Sequence, residues 1–258
     1  MANHNLEDIE NVIINTGNIL SINDITKKPN PNPTEELVEA INITIKDFQN
    51  GSALDPQPDH LLVINRNADD LTSKVNEHEL SELKIGLKIF VNNDDQNLVQ
   101  EAIEKAFLTI KVNSVDDVII SFTQKQAEDK KDDLNQIQNV WKILESFVQS
   151  QKIKQLGIAD VEENTFRALY EWAAVKPSII QINLATCCVV PPTLQAFCKE
   201  NDLKLLTHSD NNDILPKDSI QDIFGRPLTL KWALRFVIHV KCRGVLITKG
   251  YLLNLVKN

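Results

Sequence analysis

The chain has 258 residues, 42% of them hydrophobic and 24% charged, a composition that allows a sizeable core and suits a single domain. Its formal net charge of −9 argues against a broad nucleic-acid surface, because phosphate binding needs clustered Lys and Arg. Four cysteines fit free thiols in a reducing compartment better than a disulfide framework.

No targeting or membrane segment is predicted. The first ten residues lack a basic start followed by an apolar core, and no apolar run approaches the roughly 20 residues of a membrane helix. We therefore expect a cytoplasmic protein with neither a membrane nor a nucleic acid as its partner.

The first third of the chain gives few signals. Residues 10–22 contain two short apolar runs on either side of Thr16, Gly17 and Asn18, which predicts an N-terminal hairpin. Prolines between residues 29 and 33 break the structure, and Thr34 followed by two glutamates is typical of a helix start. Residues 61–64 are a candidate strand.

From residue 83 to residue 209, apolar runs of strand length alternate with amphipathic helices. Consecutive β-α-β units predict a parallel sheet. The expected inward positions of the helix near 95–110 are Leu98, Ala102, Ala106 and Leu108. Those of the helix at 136–151 are Ile137, Val140, Trp141, Leu144 and Val148.

The last part of the chain begins with a polar loop at about 209–228, with room for one short helix. An apolar helix is predicted over Leu228–Val240 and a last strand near 244–250. The fold class is therefore predicted as α/β, a (β/α)8 TIM barrel that spans 1–258 as one domain. Active sites of such barrels lie at the C-terminal ends of the strands.

The sequence resembles a known family. Residues 150–209 look like the middle of the aldo-keto reductase barrel, where a strand ending in Gly-Val-Ser-Asn precedes a Gln-Ile-Glu-Tyr strand and a helix leading to Phe-Cys-Lys-Lys. The segments NTGNIL, QINLATCCVVPP, LLTHSD and KCRGVLITKGY are similar to one branch, the regulatory (modifier) subunits of glutamate–cysteine ligase. This resemblance covers most of the chain, is weakest from 29 to 80, and implies a barrel of the aldo-keto reductase type.

The reductase chemistry of the wider family needs a Tyr as general acid, supported by a Lys, an Asp and a His. That Tyr belongs in the first third of the chain, whereas the two tyrosines here are Tyr170 and Tyr251. The position of the His falls on Phe122, which cannot donate a hydrogen bond, and Lys88 is the nearest counterpart of the Lys. We therefore expect no catalytic residue, and a protein that is not an enzyme.

The cofactor contacts that the resemblance implies are incomplete. Gln181 matches the Gln that holds the nicotinamide amide, His208 stands where an aromatic ring stacks on it, and Lys249 matches the Lys that meets the adenosine phosphate. Asp160 adds a negative charge where the family has Asn, and Gly250 replaces a Ser. We interpret Gln181, His208 and Lys249 as degenerate remnants, and no cofactor is expected.

Other kinds of site find no support. The seven glycines are scattered singly, so no Gly-rich phosphate loop is present, and no Ser stands in a nucleophile elbow. The five histidines show no metal-ligand spacing with one another or with the cysteines, so no metal is expected.

The cysteines fall into two groups. Cys198 is predicted to be part of the core, whereas Cys187 and Cys188 lie before a Pro-Pro turn, on opposite faces of an extended chain. Cys242 lies between a Lys and an Arg, where positive charge favours the thiolate. The regulatory-subunit resemblance implies that a disulfide can link the two subunits, with Cys187, Cys188 and Cys242 as candidates, and inert thiols are the alternative.

The leading hypothesis from the sequence is a non-catalytic barrel. The resemblance implies that it binds the catalytic subunit of glutamate–cysteine ligase, improves the affinity of that subunit for glutamate and relieves its feedback inhibition by glutathione. The alternatives are an NADPH-dependent aldo-keto reductase with an altered active site, and a scaffold for some other enzyme.

Overall fold

The structure of the protein is a computed structural model that describes residues 9–26, 32–51, 60–91, 95–123, 133–184 and 190–257. Two compact units are present, one formed by Met1–Leu83 with Asp213–Asn258 and the other by Lys84–Asn212. The single barrel over 1–258 stays a prediction. Within the described ranges, no helix has both the length and the apolar character needed to span a membrane.

In chain order the elements are β1 (Asn11–Asn15), α1 (Asn23–Thr26), α2 (Pro33–Gly51), β2 (Leu61–Asn65), α3 (Leu71–Asn76), β3 (Leu83–Val91), α4 (Gln96–Ile110), β4 (Val115–Phe122), α5 (Leu134–Gln149), β5 (Ile153–Ala159), α6 (Glu163–Trp172), β6 (Ile179–Asn183), α7 (Pro192–Glu200), β7 (Lys204–His208), α8 (Lys217–Phe224), β8 (Leu228–Val240) and β9 (Val245–Lys257). Short 3-10 turns occur at Ile19–Ser21 and Leu80–Glu82.

The second unit is a parallel sheet in the order β3-β4-β5-β6-β7, and one helix connects each pair of successive strands. This arrangement confirms the predicted α/β class and gives the strand–helix succession of a TIM barrel. All the strands run the same way, so their C-terminal ends lie along one edge of the sheet.

Two helices of this unit test the predicted inward faces. In α5, Ile137, Val140, Trp141 and Leu144 are buried, as predicted, whereas Val148 is only half-buried. In α4, Ala102 and Ala106 are buried, but Leu108 is 73% exposed and its prediction is wrong. Leu108 lies two residues beyond Ala106, which turns its side chain by about 200° around the helix, away from the buried face.

The first unit contains the strands β2-β1-β9-β8 in that order. β1 is parallel to β2 and antiparallel to β9, and β8 and β9 form a long antiparallel hairpin. The unit also contains α2, which begins where the Asn32 side chain accepts the backbone N–H of Thr34 at 2.8 Å.

The predicted N-terminal hairpin at about 10–22 is wrong. β1 pairs with β2 and β9 instead, and Ile19–Ser21 forms a 3-10 turn. The chain leaves the strand at Gly17, whose φ is +60°, and the Asn18 side chain then accepts the N–H of Leu20 at 3.2 Å. This local hydrogen bond favours a turn over a returning strand.

The predicted helix over Leu228–Val240 is also wrong, because this segment is β8. From Leu234 to Val240 every second side chain is buried, and the segment is rich in β-branched and aromatic residues. An apolar run alone does not distinguish a buried strand from a buried helix. The loop predicted at about 209–228 contains α8, the short helix for which the sequence left room.

We expect Gly250→Ala to destabilise the fold by about 1–3 kcal/mol, the usual cost of overpacking. A Cβ at Gly250 would meet the carbonyl oxygen of Gly17 and the ring of Phe236. Urea unfolding followed by circular dichroism measures the effect. Gly244→Ala is the control, because Gly244 has a φ of +61° but no atom within 4 Å of an added Cβ, so it should cost only about 1 kcal/mol of backbone strain. Equal losses from the two variants would contradict the steric argument.

Candidate functional site

Polar side chains from several strands meet at the C-terminal edge of the second unit. Lys88 lies on β3, Asn183 ends β6 and His208 ends β7. Asp160 directly follows β5, and Asp210 follows β7 by two residues. We call these five residues the strand-end cluster. They lie at the edge where barrel proteins carry their functional groups.

A buried ion pair lies at the centre of this cluster. Lys88 Nζ is 2.8 Å from Asp210 Oδ2, and the two side chains are only 5% and 4% exposed. The Asn183 side-chain amide donates to the backbone carbonyl of Asp210 at 2.6 Å and fixes the same segment. A buried ammonium group requires such a partner, so this lysine is already bound within the chain.

His208 lies between two carboxylates. Its Nε2 is 2.8 Å from Asp160 Oδ1, and its Nδ1 is 3.1 Å from Asp210 Oδ2. Burial lowers the pKa of His208, but the contacts with Asp160 and Asp210 outweigh burial, and the pKa is raised above its usual value. The ring is therefore held by hydrogen bonds and carries a proton more readily than an exposed histidine does.

The peptide after β5 supports this arrangement. Asp160 has a φ of +59°, a left-handed conformation that Asp tolerates, and its N–H donates to the Gln181 carbonyl at 3.1 Å. Gln181 is half-buried, and its Oε1 is buried with no hydrogen-bond partner among the described residues. No group of three or more His, Cys, Asp or Glu that could hold a metal occurs in the parts of the chain that the structure describes.

The first unit holds its lysine in a similar way. Lys249 Nζ lies 2.7 Å from Glu36 Oε1, and the Tyr251 hydroxyl donates to the same oxygen at 2.7 Å. Glu36 comes from the first turn of α2, and Lys249 and Tyr251 lie two apart on β9, so their side chains share one face of the strand. The charge of Lys249 is therefore compensated by a carboxylate of the same chain.

Neither tyrosine is a suitable general acid. Tyr251 is fully buried, and burial raises the pKa of its hydroxyl, which is bound to Glu36. Tyr170 lies on α6, where its ring packs edge-on against Phe197 at a centroid distance of 5.4 Å. Phe122 ends β4, at the position where the resemblance asks for a histidine. Among the described residues, the candidate contacts fit a nicotinamide dinucleotide poorly, because Lys249 is paired with Glu36 and Asp160 adds a carboxylate beside His208.

The structure places Gln181 and His208 at neighbouring strand ends of the second unit, and Lys249 in the first unit. Sequence reasoning missed the partners that decide what these residues can do, namely Asp210, Asn183 and Glu36. A signal existed for Asp210, an acidic residue just beyond a strand end that lies at the same edge as Lys88. No spacing in the sequence connects Glu36 with Lys249.

The cysteine predictions have different outcomes. Cys187 and Cys188 lie outside the described residues. Cys198 is 2% exposed, as predicted for a core residue, and burial raises the pKa of its thiol. Cys242 is exposed and lines a shallow cleft with His78, Glu82 and Arg243, among others.

The fold and the site define an α/β protein with a barrel-type parallel sheet, whose strand-end lysine is bound by its own chain. No protein-family model matches the chain. The chain is 34% identical over 250 residues to the glutamate–cysteine ligase regulatory subunit of Homo sapiens, which covers 93% of this chain and 90% of that protein, and it is 33% identical over the same length to that of Mus musculus. The chain belongs to the family of glutamate–cysteine ligase regulatory subunits. Among solved structures, it matches an aldose reductase from Giardia lamblia with 17% identity and a TM-score of 0.37, over 69% of this chain and 53% of that one.

We expect Lys88→Met to destabilise the protein by about 3–5 kcal/mol, because it leaves the carboxylate of Asp210 buried without its cation. Adding Asp210→Asn should recover part of the loss in the double variant. Denaturant unfolding of the single and double variants measures the coupling. Lys154→Met is the matched control, since Lys154 pairs with Asp116 but is 60% exposed and should cost only about 0–1 kcal/mol. Strictly additive losses would show that the two groups do not act as a pair.

Proposed function

We propose that this protein is a non-catalytic regulatory subunit that binds the catalytic subunit of glutamate–cysteine ligase in the cytoplasm. In this role it raises the affinity of the catalytic subunit for glutamate and relieves feedback inhibition by glutathione, and so acts in glutathione biosynthesis. The named relatives support the regulatory role, because their similarity to this chain extends over 93% of its length.

The absence of a suitable general-acid tyrosine supports the non-catalytic part of the proposal. A reductase of this fold needs its strand-end lysine to act on a proton-donating tyrosine. Here the lysine is bound to an internal carboxylate at 2.8 Å, and Tyr251 is itself buried and bound to Glu36. Neither Tyr170 nor Tyr251 lies in the first third of the chain, where the resemblance puts the proton-donating tyrosine.

Regulation without chemistry has a clear physical requirement. A subunit changes the substrate affinity of its partner only if it binds two states of that partner with different affinities. Coupling of this kind is typically about 5–150-fold in affinity. The strand-end loops near Asp210 and the surface near Cys242 are the docking regions that we propose.

Reconstitution with the catalytic subunit tests this proposal. Adding the purified chain should lower the KM for glutamate by at least about fivefold, the low end of typical coupling, and raise the glutathione concentration needed for half-inhibition. Size-exclusion chromatography should show a one-to-one complex. An unrelated protein of similar acidity, added at the same concentration, controls for non-specific stabilisation of the enzyme.

The reductase alternative makes the opposite prediction. Gln181, whose Oε1 lacks a partner among the described residues, is the feature that favours a residual dinucleotide contact. NADPH is titrated into the chain while the fluorescence of Trp141, Trp172 and Trp232 is followed, and carbonyl reduction is assayed in parallel. Tight quenching together with turnover, and no effect on the ligase, would replace the proposal with a reductase function.

We also propose that a disulfide can join this chain to the catalytic subunit through Cys187, Cys188 or Cys242. Two thiols would lose two protons and two electrons to an oxidant such as a small disulfide, and one sulfur–sulfur bond would form between the chains. Cys242 is exposed, so its sulfur can meet a thiol of a second protein.

Differential alkylation of the oxidised complex and mass spectrometry identify the cysteine involved. One candidate should be protected from alkylation only when the partner is present, and its change to Ser should abolish the linked species on a non-reducing gel. Cys198→Ser is the control, because Cys198 is 2% exposed and cannot reach a partner. Equal labelling of Cys187, Cys188 and Cys242 with and without the partner would remove the disulfide from the proposal.

A further inference from the structure

One ring nitrogen of His208 faces both a donor and an acceptor. The Asp210 backbone N–H donates to Nδ1 at 3.1 Å, and the Asp210 carboxylate oxygen Oδ2 lies 3.1 Å from the same nitrogen. An imidazole nitrogen without a proton accepts a hydrogen bond, and with a proton it donates one. Nδ1 can therefore serve only one of its two neighbours at a time.

The other ring nitrogen of His208, Nε2, faces only an acceptor. Nε2 lies 2.8 Å from Asp160 Oδ1, and an ionised carboxylate only accepts. Nε2 therefore carries a proton in both states of the ring. The second proton, on Nδ1, is the one that pH adds or removes.

The charges that face the ring determine which state is favoured. Lys88 on β3 contributes one cation, while Asp160 after β5 and Asp210 after β7 contribute two carboxylates. Ser121, one residue before the end of β4, and Asn183, at the end of β6, are uncharged. Among the described residues, one cation therefore opposes two carboxylates when the ring is neutral, and a proton on His208 balances these charges.

We propose that His208 is a proton-operated latch on the segment that follows β7. When the ring is protonated, Nδ1 donates to the Asp210 carboxylate, which is then bound by two cations, and the Asp210 amide loses its acceptor. When the ring is neutral, Nδ1 accepts the Asp210 amide, and Lys88 holds the carboxylate without help from the ring. The contact with Asp160 persists throughout, so the exchange changes the hydrogen bonds of Asp210 while the ring keeps its place.

The pKa of His208 determines which form of the latch is favoured at a given pH. Burial lowers the pKa of His208, but the two carboxylates outweigh it and raise the pKa above the usual value of about 6.5. The protonated latch is therefore favoured below this range, and the neutral latch replaces it as the pH rises through the raised pKa. The inference does not depend on the proposed partner.

Solution NMR of the isotope-labelled chain tests the latch. The imidazole signals of His208, assigned by their loss in His208→Gln, should titrate with a pKa above 6.5, the usual histidine value. The backbone amide of Asp210 should shift with the same midpoint. Its protection against exchange with solvent, after correction for the base-catalysed intrinsic rate, should increase as the pH rises, because only the neutral ring accepts its hydrogen. A flat Asp210 amide across the His208 titration would overturn the proposal.

Two variants should move the midpoint in opposite directions. Asp160→Asn removes a carboxylate and should lower the midpoint, whereas Lys88→Met removes a competing cation and should raise it. Glu200→Gln, on the exposed surface of α7, should leave it unchanged. If Lys88→Met does not fold, the wild-type amide titration and Asp160→Asn still decide the question, because a midpoint that Asp160→Asn leaves in place contradicts the charge argument.

Discussion

The buried ion pair of Lys88 and Asp210 is the constraint on which the strand-end cluster depends. Taking two charges out of water costs several kcal/mol per ion. The attraction between the two ions offsets this desolvation penalty only while both remain in close contact. With side chains 5% and 4% exposed, neither group can turn to water if the other leaves. The pair thus fixes the segment after β7 against β3, and the contacts of Asn183 and His208 with Asp210 follow from that position.

The first unit contains the same device built from other residues. Lys249 and Tyr251 share one face of β9, and both bind the carboxylate of Glu36. In each unit, a lysine that could bind an anionic ligand is paired with a carboxylate of the same chain. These pairs are Lys88 with Asp210 and Lys249 with Glu36. The charged groups of both pairs are therefore used within the fold. Their internal pairing is consistent with membership of a family of regulatory subunits.

The sequence predicted the parts of the fold that depend on repeated pattern. The alternation of strands and helices from β3 to β7 and the inward face of α5 follow from spacing alone, since many residues carry the same signal. The sequence-based prediction was wrong where a single side-chain contact determines the local structure. The turn at Ile19–Ser21 depends on one Asn18 side chain. β8 could not be told from a helix because burial does not alternate along its first half, where Thr229–Lys231 are half-buried and Trp232–Leu234 are buried. The same holds for the site. The sequence placed His208 at a strand end but did not pair it with Asp160 and Asp210. These partners lie 48 residues before His208 and two residues after it, and no shared spacing connects them.

The chain has buried polar groups that bind one another and an exposed thiol that does not take part in this network. In the strand-end cluster, the side chains of Lys88, His208 and Asp210 are 4–7% exposed and bind one another. Cys242 is exposed and is the described candidate cysteine that a second protein can reach. A regulatory subunit needs both a fold that does not yield when a partner binds and a surface that does the binding. The internal counterions supply the first, because the buried charged groups bind one another and not the surface.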